Sequence, residues 1–219
     1  MLTYKGLKLN EEIRTYIKKA DESLHAQGYT EHSFAHVEHV ASVAGNLLRE
    51  LGYSDREAEL AEIAGYMHDI GNLVNRIDHS QSGALMAFRI LDRLGMQPEE
   101  LASVVTAIGN HDEGTGVPVS PIAAALILAD KSDVRRSRVR NQDVSTFDIH
   151  DRVNFSATSA ELTVSEDKKT LALSLEIDTR YSPVMEYFEI FLGRMVLCRK
   201  AAEALGLRFQ LQINGQTLL

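Results

Sequence analysis

The chain holds a single cysteine, Cys198, in 219 residues. No internal disulfide is possible, and a metal site built on several thiolates is excluded. Long apolar runs are missing as well. None approaches the roughly 18–20 residues of a membrane-spanning helix. The opening MLTYKGLKLNEEIRTYIKK lacks the apolar core of a signal peptide. A cytoplasmic, reducing setting is therefore expected. Basic charge is in deficit, with 23 Lys and Arg against 31 Asp and Glu and a net charge of −8. General binding to nucleic acid or to an anionic membrane wants a basic face, so neither is an expected partner. A local basic pocket for a phosphate stays open. No internal repeat and no low-complexity tract is present.

What is present is ordinary for a globular domain, with 44% hydrophobic and 25% charged residues. Period-three-and-four spacing predicts a helix from Asn10 to about Gln27, and another from Glu31–Ser33 to Leu51, stopped by Gly52. Ser54 and Glu57 form a capping box for a third, which runs to His68. Ser80 to Leu94 reads as helix with Leu85, Phe88 and Leu91 or Leu94 inward. Pro98 to Gly109 reads as another. Ser120-Pro121 starts the segment IAAALILAD, apolar nearly all round, which belongs at the centre of a bundle. Its last residue, Asp130, is then a buried carboxylate that needs a partner charge or a metal.

From about Phe147 the pattern changes. Ala160, Leu162 and Val164 alternate, as do Leu171, Leu173, Leu175 and Ile177, and later Leu207, Phe209, Leu211 and Ile213. A helix from Ser182-Pro183 to about Leu205 lies between the last two sets. The expected architecture is mainly α. A helical bundle over residues 1–150 carries a small strand–strand–helix–strand unit over 151–219. Apolar strands with an open edge make that unit a candidate dimerisation element, so a homodimer is expected.

The stretch that organises the rest is GYMHDIGN, Gly65 to Asn72, which sets His68 beside Asp69 at a helix end. One neutral nitrogen and one anionic oxygen suit a divalent first-row metal better than Ca²⁺ or structural zinc. His36 lies on the inner side of the second helix, in phase with Val40 and Leu47, while His79, His111 and Asp130 fall at helix ends, where helices of one bundle converge. Each alone could be a cap or a core polar. Together they point to shared coordination. His25, His32, His39 and His150 fit no such pattern and read as surface or capping residues.

The ordered set His36, His68-Asp69 and Asp130, with the phrases HxxxVA (His36–Ala41) and HDIG (His68–Gly71), resembles the HD superfamily of metal-dependent phosphohydrolases. His79 followed by Gly83-Ala84 is similar to the HxxxGA phrase of subfamilies with two metals. NHDEGTGVP (Asn110–Pro118) is similar to a degenerate form of the glycine element of HD-GYP phosphodiesterases, with Val117 in place of tyrosine and Asn72 in place of the lysine usual after HDIG. The dinucleoside tetraphosphate hydrolases of the superfamily offer a second likeness, through Ala129-Asp130 and the arginines that follow.

The resemblance implies an HD-domain bundle and one or two divalent ions (Mn, Fe, Co, Ni or Mg). His36, His68, Asp69 and Asp130 would hold one ion, and Asp69 would bridge to another at His79 and His111. The expected reaction is hydrolysis of a phosphate ester or anhydride of a small nucleotide-like substrate by a metal-activated water. Asp69, Lys131 and Arg135 are the expected catalytic residues. Arg135, Arg136, Gly114 and Gly116 are the expected substrate contacts, arginine forks because they match phosphate bidentately. The alternative is a catalytically weak HD protein that binds a nucleotide or a partner protein as a sensor.

Overall fold

The computed structural model describes residues 1–218. Helices α1 (Tyr4–Lys8), α2 (Glu11–Ala26), α3 (Phe34–Leu51), α4 (Asp55–Met67), α5 (His79–Arg93), α6 (Pro98–Gly109) and α7 (Pro121–Ser132) build the bundle. Local chemistry sets their ends. Asn10 accepts hydrogen bonds from the Glu12 and Ile13 amides, Ser54 and Glu57 close the capping box, and Gly52 ends α3 in the left-handed region at φ 91°. Helix α7 is buried from Ile122 to Ser132 and forms the axis on which α3, α4 and α6 pack. Such a helix has no polar face to give to water, so its two terminal charges must be satisfied inside the protein.

Helix α8 (Ile149–Ser156) leads directly into β1 (Ala157–Val164). It is followed by β2 (Thr170–Ile177), α9 (Val184–Ala204), β3 (Arg208–Ile213) and the two-residue β4 (Gln216–Thr217). The sheet order is β1-β2-β3-β4, with β2 and β3 parallel and the other pairs antiparallel. A parallel pair needs a long crossover, and α9 is that crossover. Asn214 and Gly215 both have positive φ, as a two-residue hairpin turn requires. Sequence pattern misses α1, α8 and β4, each too short for a clear period. Leu9, which starts the apolar stripe of the first helix in the sequence, is 72% exposed.

The buried apolar side chains form one core from Leu7 to Ile213, and α9 packs directly on α7. The C-terminal unit thus shares its core with the bundle. Among the described residues, no helix is long and apolar enough to cross a membrane.

The phase of α5 differs from expectation. Leu85 and Phe88 are 72% and 49% exposed, while Ser80, Gly83, Ala84 and Ala87 face inward with Ile90 and Leu91. The reason is close approach. A Cβ at Gly71 would lie 2.0 Å from the His79 carbonyl oxygen and 2.4 Å from the Gly83 nitrogen. Backbone atoms cannot swing aside, so the HDIG turn and the first turn of α5 touch only because both glycines lack a side chain. We expect Gly71→Ala to destabilise the fold by about 3 kcal/mol or more. Thermal or urea unfolding checks this, and an unchanged midpoint would remove the close approach as the explanation.

Candidate metal centre

Four imidazoles converge. His36 lies in the first turn of α3, His68 caps the end of α4, His79 opens α5 and His111 follows α6. All four are at most 3% exposed. Each commits its Nδ1 to an acceptor. His36 Nδ1 donates to Asp133 Oδ2 at 2.7 Å, His68 Nδ1 to the Gly65 carbonyl at 2.8 Å, His79 Nδ1 to the Arg76 carbonyl at 3.0 Å and His111 Nδ1 to the Ile108 carbonyl at 2.7 Å. A carbonyl or carboxylate oxygen only accepts, so Nδ1 carries the proton and, in the neutral ring, Nε2 presents a bare lone pair.

Those rings form one continuous row, His36 against His68, His68 against His111 and His111 against His79. His36 Nε2 and His68 Nε2 are buried with no hydrogen-bond partner. His79 Nε2 and His111 Nε2 face each other at 3.1 Å. Two orphaned buried acceptors cost on the order of 1–3 kcal/mol each, and two facing lone pairs repel. A cation between them removes both penalties. The acids complete the set. Asp130 Oδ1 lies 3.4 Å from His36 Nε2 and 3.6 Å from His68 Nε2. Asp69 Oδ2 lies 3.6 and 3.3 Å from the same two nitrogens, while its Oδ1 lies 3.5 Å from His79 Nε2. Ligands about 2.1 Å from one ion at tetrahedral angles stand about 3.4 Å apart, which these separations match. The two oxygens of Asp69 face different imidazoles, the disposition a bridging carboxylate needs. His36, His68 and Asp130 form one group able to hold a metal, and His68, Asp69 and His111 another.

The charges are consistent with that chemistry. Burial alone would push the Asp69 and Asp130 carboxyls up, but His68 beside Asp69 and Lys131 beside Asp130 hold both well below the usual carboxylate range. Burial pulls His111 well down, and His79 down, so both imidazoles stay neutral as ligands must be. Burial would also lower His68, but Asp69 and Asp130 overcome it and raise the metal-free ring to about 10. A proton on His68 therefore competes with a metal, and uptake expels it. Asn72 donates to Asp69 Oδ1 at 2.9 Å and fixes its rotamer, a positioning role for the residue that replaces the expected lysine.

Comparison with known proteins now decides the family. A model of the HD domain matches residues 33–151. The chain belongs to the HD domain family. Membership supports a metal-dependent phosphohydrolase at that general level. This HD domain is 31% identical over 121 residues to ribonuclease Y of Fervidobacterium nodosum, an alignment that spans 54% of the chain but 21% of that ribonuclease. It is 26% identical over 191 residues to the uncharacterized protein MJ1020 of Methanocaldococcus jannaschii, spanning 76% of the chain and 73% of the relative. A crystal structure of a predicted HD superfamily hydrolase from an uncultured Thermotogales bacterium aligns with a TM-score of 0.45 at 24% identity, covering 57% of this chain and 67% of that one.

Not every residue singled out from the sequence reaches the centre of the HD domain. Lys131 does, held between Asp130 Oδ2 at 2.7 Å and Glu113 Oε2 at 2.6 Å. Arg135 does not. Its guanidinium is bound to Asp133 Oδ1 at 2.7 Å and faces Glu31, away from the pocket. Arg136 donates to the Phe155 carbonyl and stacks on Phe155 and Tyr181, so it ties α8 to the tail. Gly114 and Gly116 serve the turn after His111. A Cβ at Gly116 would meet the Asp112 and Asn110 carbonyls at 2.4 and 2.7 Å. From this loop, two carboxylates face the site: Asp112 Oδ1 lies 3.9 Å from His79 Nε2, and Glu113 binds Lys131. Lys131 holds Glu113 well below the usual carboxylate range against the effect of burial.

In place of Arg135 and Arg136 the site has Arg76, Arg138 and Arg194, which with His32 line both the pocket at Asp69 and Asp130 and the larger cleft outside it. His32, read from sequence as a surface residue, stacks edge-on to His36 with ring centroids 5.5 Å apart. His32 lies just ahead of Ser33, the N-cap of α3, so no helical spacing in the sequence marked it. His150 lines the outer cleft, while His25 and His39 are exposed.

Proposed function

We propose that this protein is a metal-dependent phosphohydrolase that cleaves a phosphate ester or anhydride of a small nucleotide-like substrate. The observation that carries the reading is the row of four buried imidazoles with two carboxylates between them, forming two overlapping groups able to hold a metal. A divalent metal held there supplies Lewis acidity toward phosphoryl oxygens and makes water a nucleophile near neutral pH. His36, His68, Asp69 and Asp130 would hold one ion, and His79 and His111, with Asp69 shared, would hold another. Asp69 and Asp130 provide the negative charge a dication needs. Lys131 offsets the excess at Asp130 Oδ2 and keeps that oxygen turned from the imidazoles. The cleft beside the centre admits the substrate, and its arginines offset charge on the phosphoryl oxygens.

The test is a screen of phosphate esters with protein stripped of metal and reloaded with Mn²⁺, Fe²⁺, Co²⁺, Ni²⁺ or Mg²⁺. Turnover that needs metal and stops with chelator is the expected result. Nucleotide binding with no turnover under any metal would replace this reading with that of a sensor.

A further inference from the structure

The cleft outside the metal centre has a volume of about 410 Å³ and opens on that centre past Arg76, Arg138 and Arg194. That is the size of a small-molecule site. The three arginines come from different parts of the chain, with Arg194 on α9 beyond the HD match at 33–151. Their donors are not exhausted. The nearest carboxylate to Arg76 is Asp69 at 4.0 Å. Arg194 uses Nε on Glu113 at 3.1 Å, and its guanidinium lies over Phe191 at 4.3 Å. Arg138 holds the Glu31 and Asp133 carbonyls through Nε and one Nη, which fixes its plane at the cleft wall.

The outer cleft has the opposite character. Asp148 and Asp151 line it beside Tyr29 and Asn154, and the whole chain is net negative. The three arginines, with Glu113 on Arg194, thus stand where the cleft meets the metal pocket, while Asp148 and Asp151 line the cleft alone. A terminal phosphate with three free oxygens suits the three arginines. A hydroxyl-bearing organic group suits acceptor carboxylates and an aromatic ring. A polynucleotide would have to carry further phosphates past Asp148 and Asp151, against like charge.

We propose that Arg76, Arg138 and Arg194 bind the terminal phosphate of a small phosphomonoester whose hydroxyl-bearing organic part lies against Asp148 and Asp151. This rests on the phosphohydrolase reading for turnover, though not for binding. The reaction is then monoester hydrolysis. A water oxygen bonds to phosphorus, the P–O bond to the organic group breaks, and alcohol and inorganic phosphate leave with the two water protons shared between them. Arg194 makes the C-terminal unit part of the substrate site.

The experiment has two arms on the full chain. Calorimetric titration with inorganic phosphate and with a nucleoside 5′-monophosphate should show affinity lowered about tenfold or more in Arg194→Gln and partly kept in Arg194→Lys. Arg180→Gln, on the exposed Asp178 pair, is the control and should bind as the parent does. Turnover with Mn²⁺ should favour the nucleoside 5′-monophosphate over bis(p-nitrophenyl) phosphate and leave the interior of an RNA oligonucleotide uncut. Unchanged phosphate binding in a folded Arg194→Gln protein overturns the three-arginine phosphate site. Preference for the diester, or internal RNA cleavage, overturns the substrate class. Arg194-dependent phosphate binding with no turnover of any ester upholds the three-arginine phosphate site and sinks the enzyme reading alone.

Discussion

Asp69→Ala should leave the protein with little or no metal and lower phosphate-ester hydrolysis by on the order of a thousandfold or more. The carboxylate is 5% exposed, and its two oxygens face different imidazoles at 3.3 and 3.5 Å. Alanine removes the carboxylate that faces His36 and His68 on one oxygen and His79 on the other, and takes away one of the two negative charges that a dication would meet. The four Nε2 lone pairs then face one another with less to neutralise a cation. Elemental analysis of the purified variant and an esterase assay after metal reloading are the measurements. Full metal content in Asp69→Ala would falsify the assignment of this residue as the bridge.

Asp133→Asn should weaken metal affinity or activity by about 10–100-fold, although Asp133 is not among the converging ligands. It is 2% exposed and accepts the His36 Nδ1 proton at 2.7 Å. That bond fixes which nitrogen faces the metal. Burial would raise the Asp133 carboxyl, but His36 and the Arg138 guanidinium at 3.6 Å hold it well below the usual range. An amide of the same shape keeps the packing and loses the charge, so His36 becomes a poorer ligand and buried Arg138 loses its anionic partner. Chelator competition and thermal unfolding of the metal-free variant separate the two effects. Metal affinity equal to that of the parent would show that the ring of His36 needs no anion behind it.

Both variants bear on why the HDIG phrase has the composition it has. His68 and Asp69 are the ligating pair. Ile70 is buried in the core, and Gly71 is where the turn meets α5. That contact sets His79 at the right height to face His111. One short phrase thus combines ligands with the packing that delivers ligands from a later helix.

Much of this was legible in the chain before folding. Helix ends followed from Asn10, Ser54, Gly52 and Pro121, because capping and backbone restriction act over a few residues. The central place of α7 followed from its apolar circumference, and the strands of the tail from their alternation. The candidate ligands were visible because His36 shares the inner phase of a periodic helix and the others stand at helix ends, where a polar group has a reason to be. Only the tertiary structure decided which cations face the cleft. The run RRSRVR has one composition, yet Arg135 binds Asp133, Arg136 stacks on Phe155, and Arg138 alone turns to the cleft. Arg194 could not be found from pattern at all, since it reaches the site through the packing of α9 on α7. Propensity and period are local, and they name elements and their faces. Which long side chain meets which carboxylate depends on contacts between segments far apart in the chain, and those exist only once the core has closed.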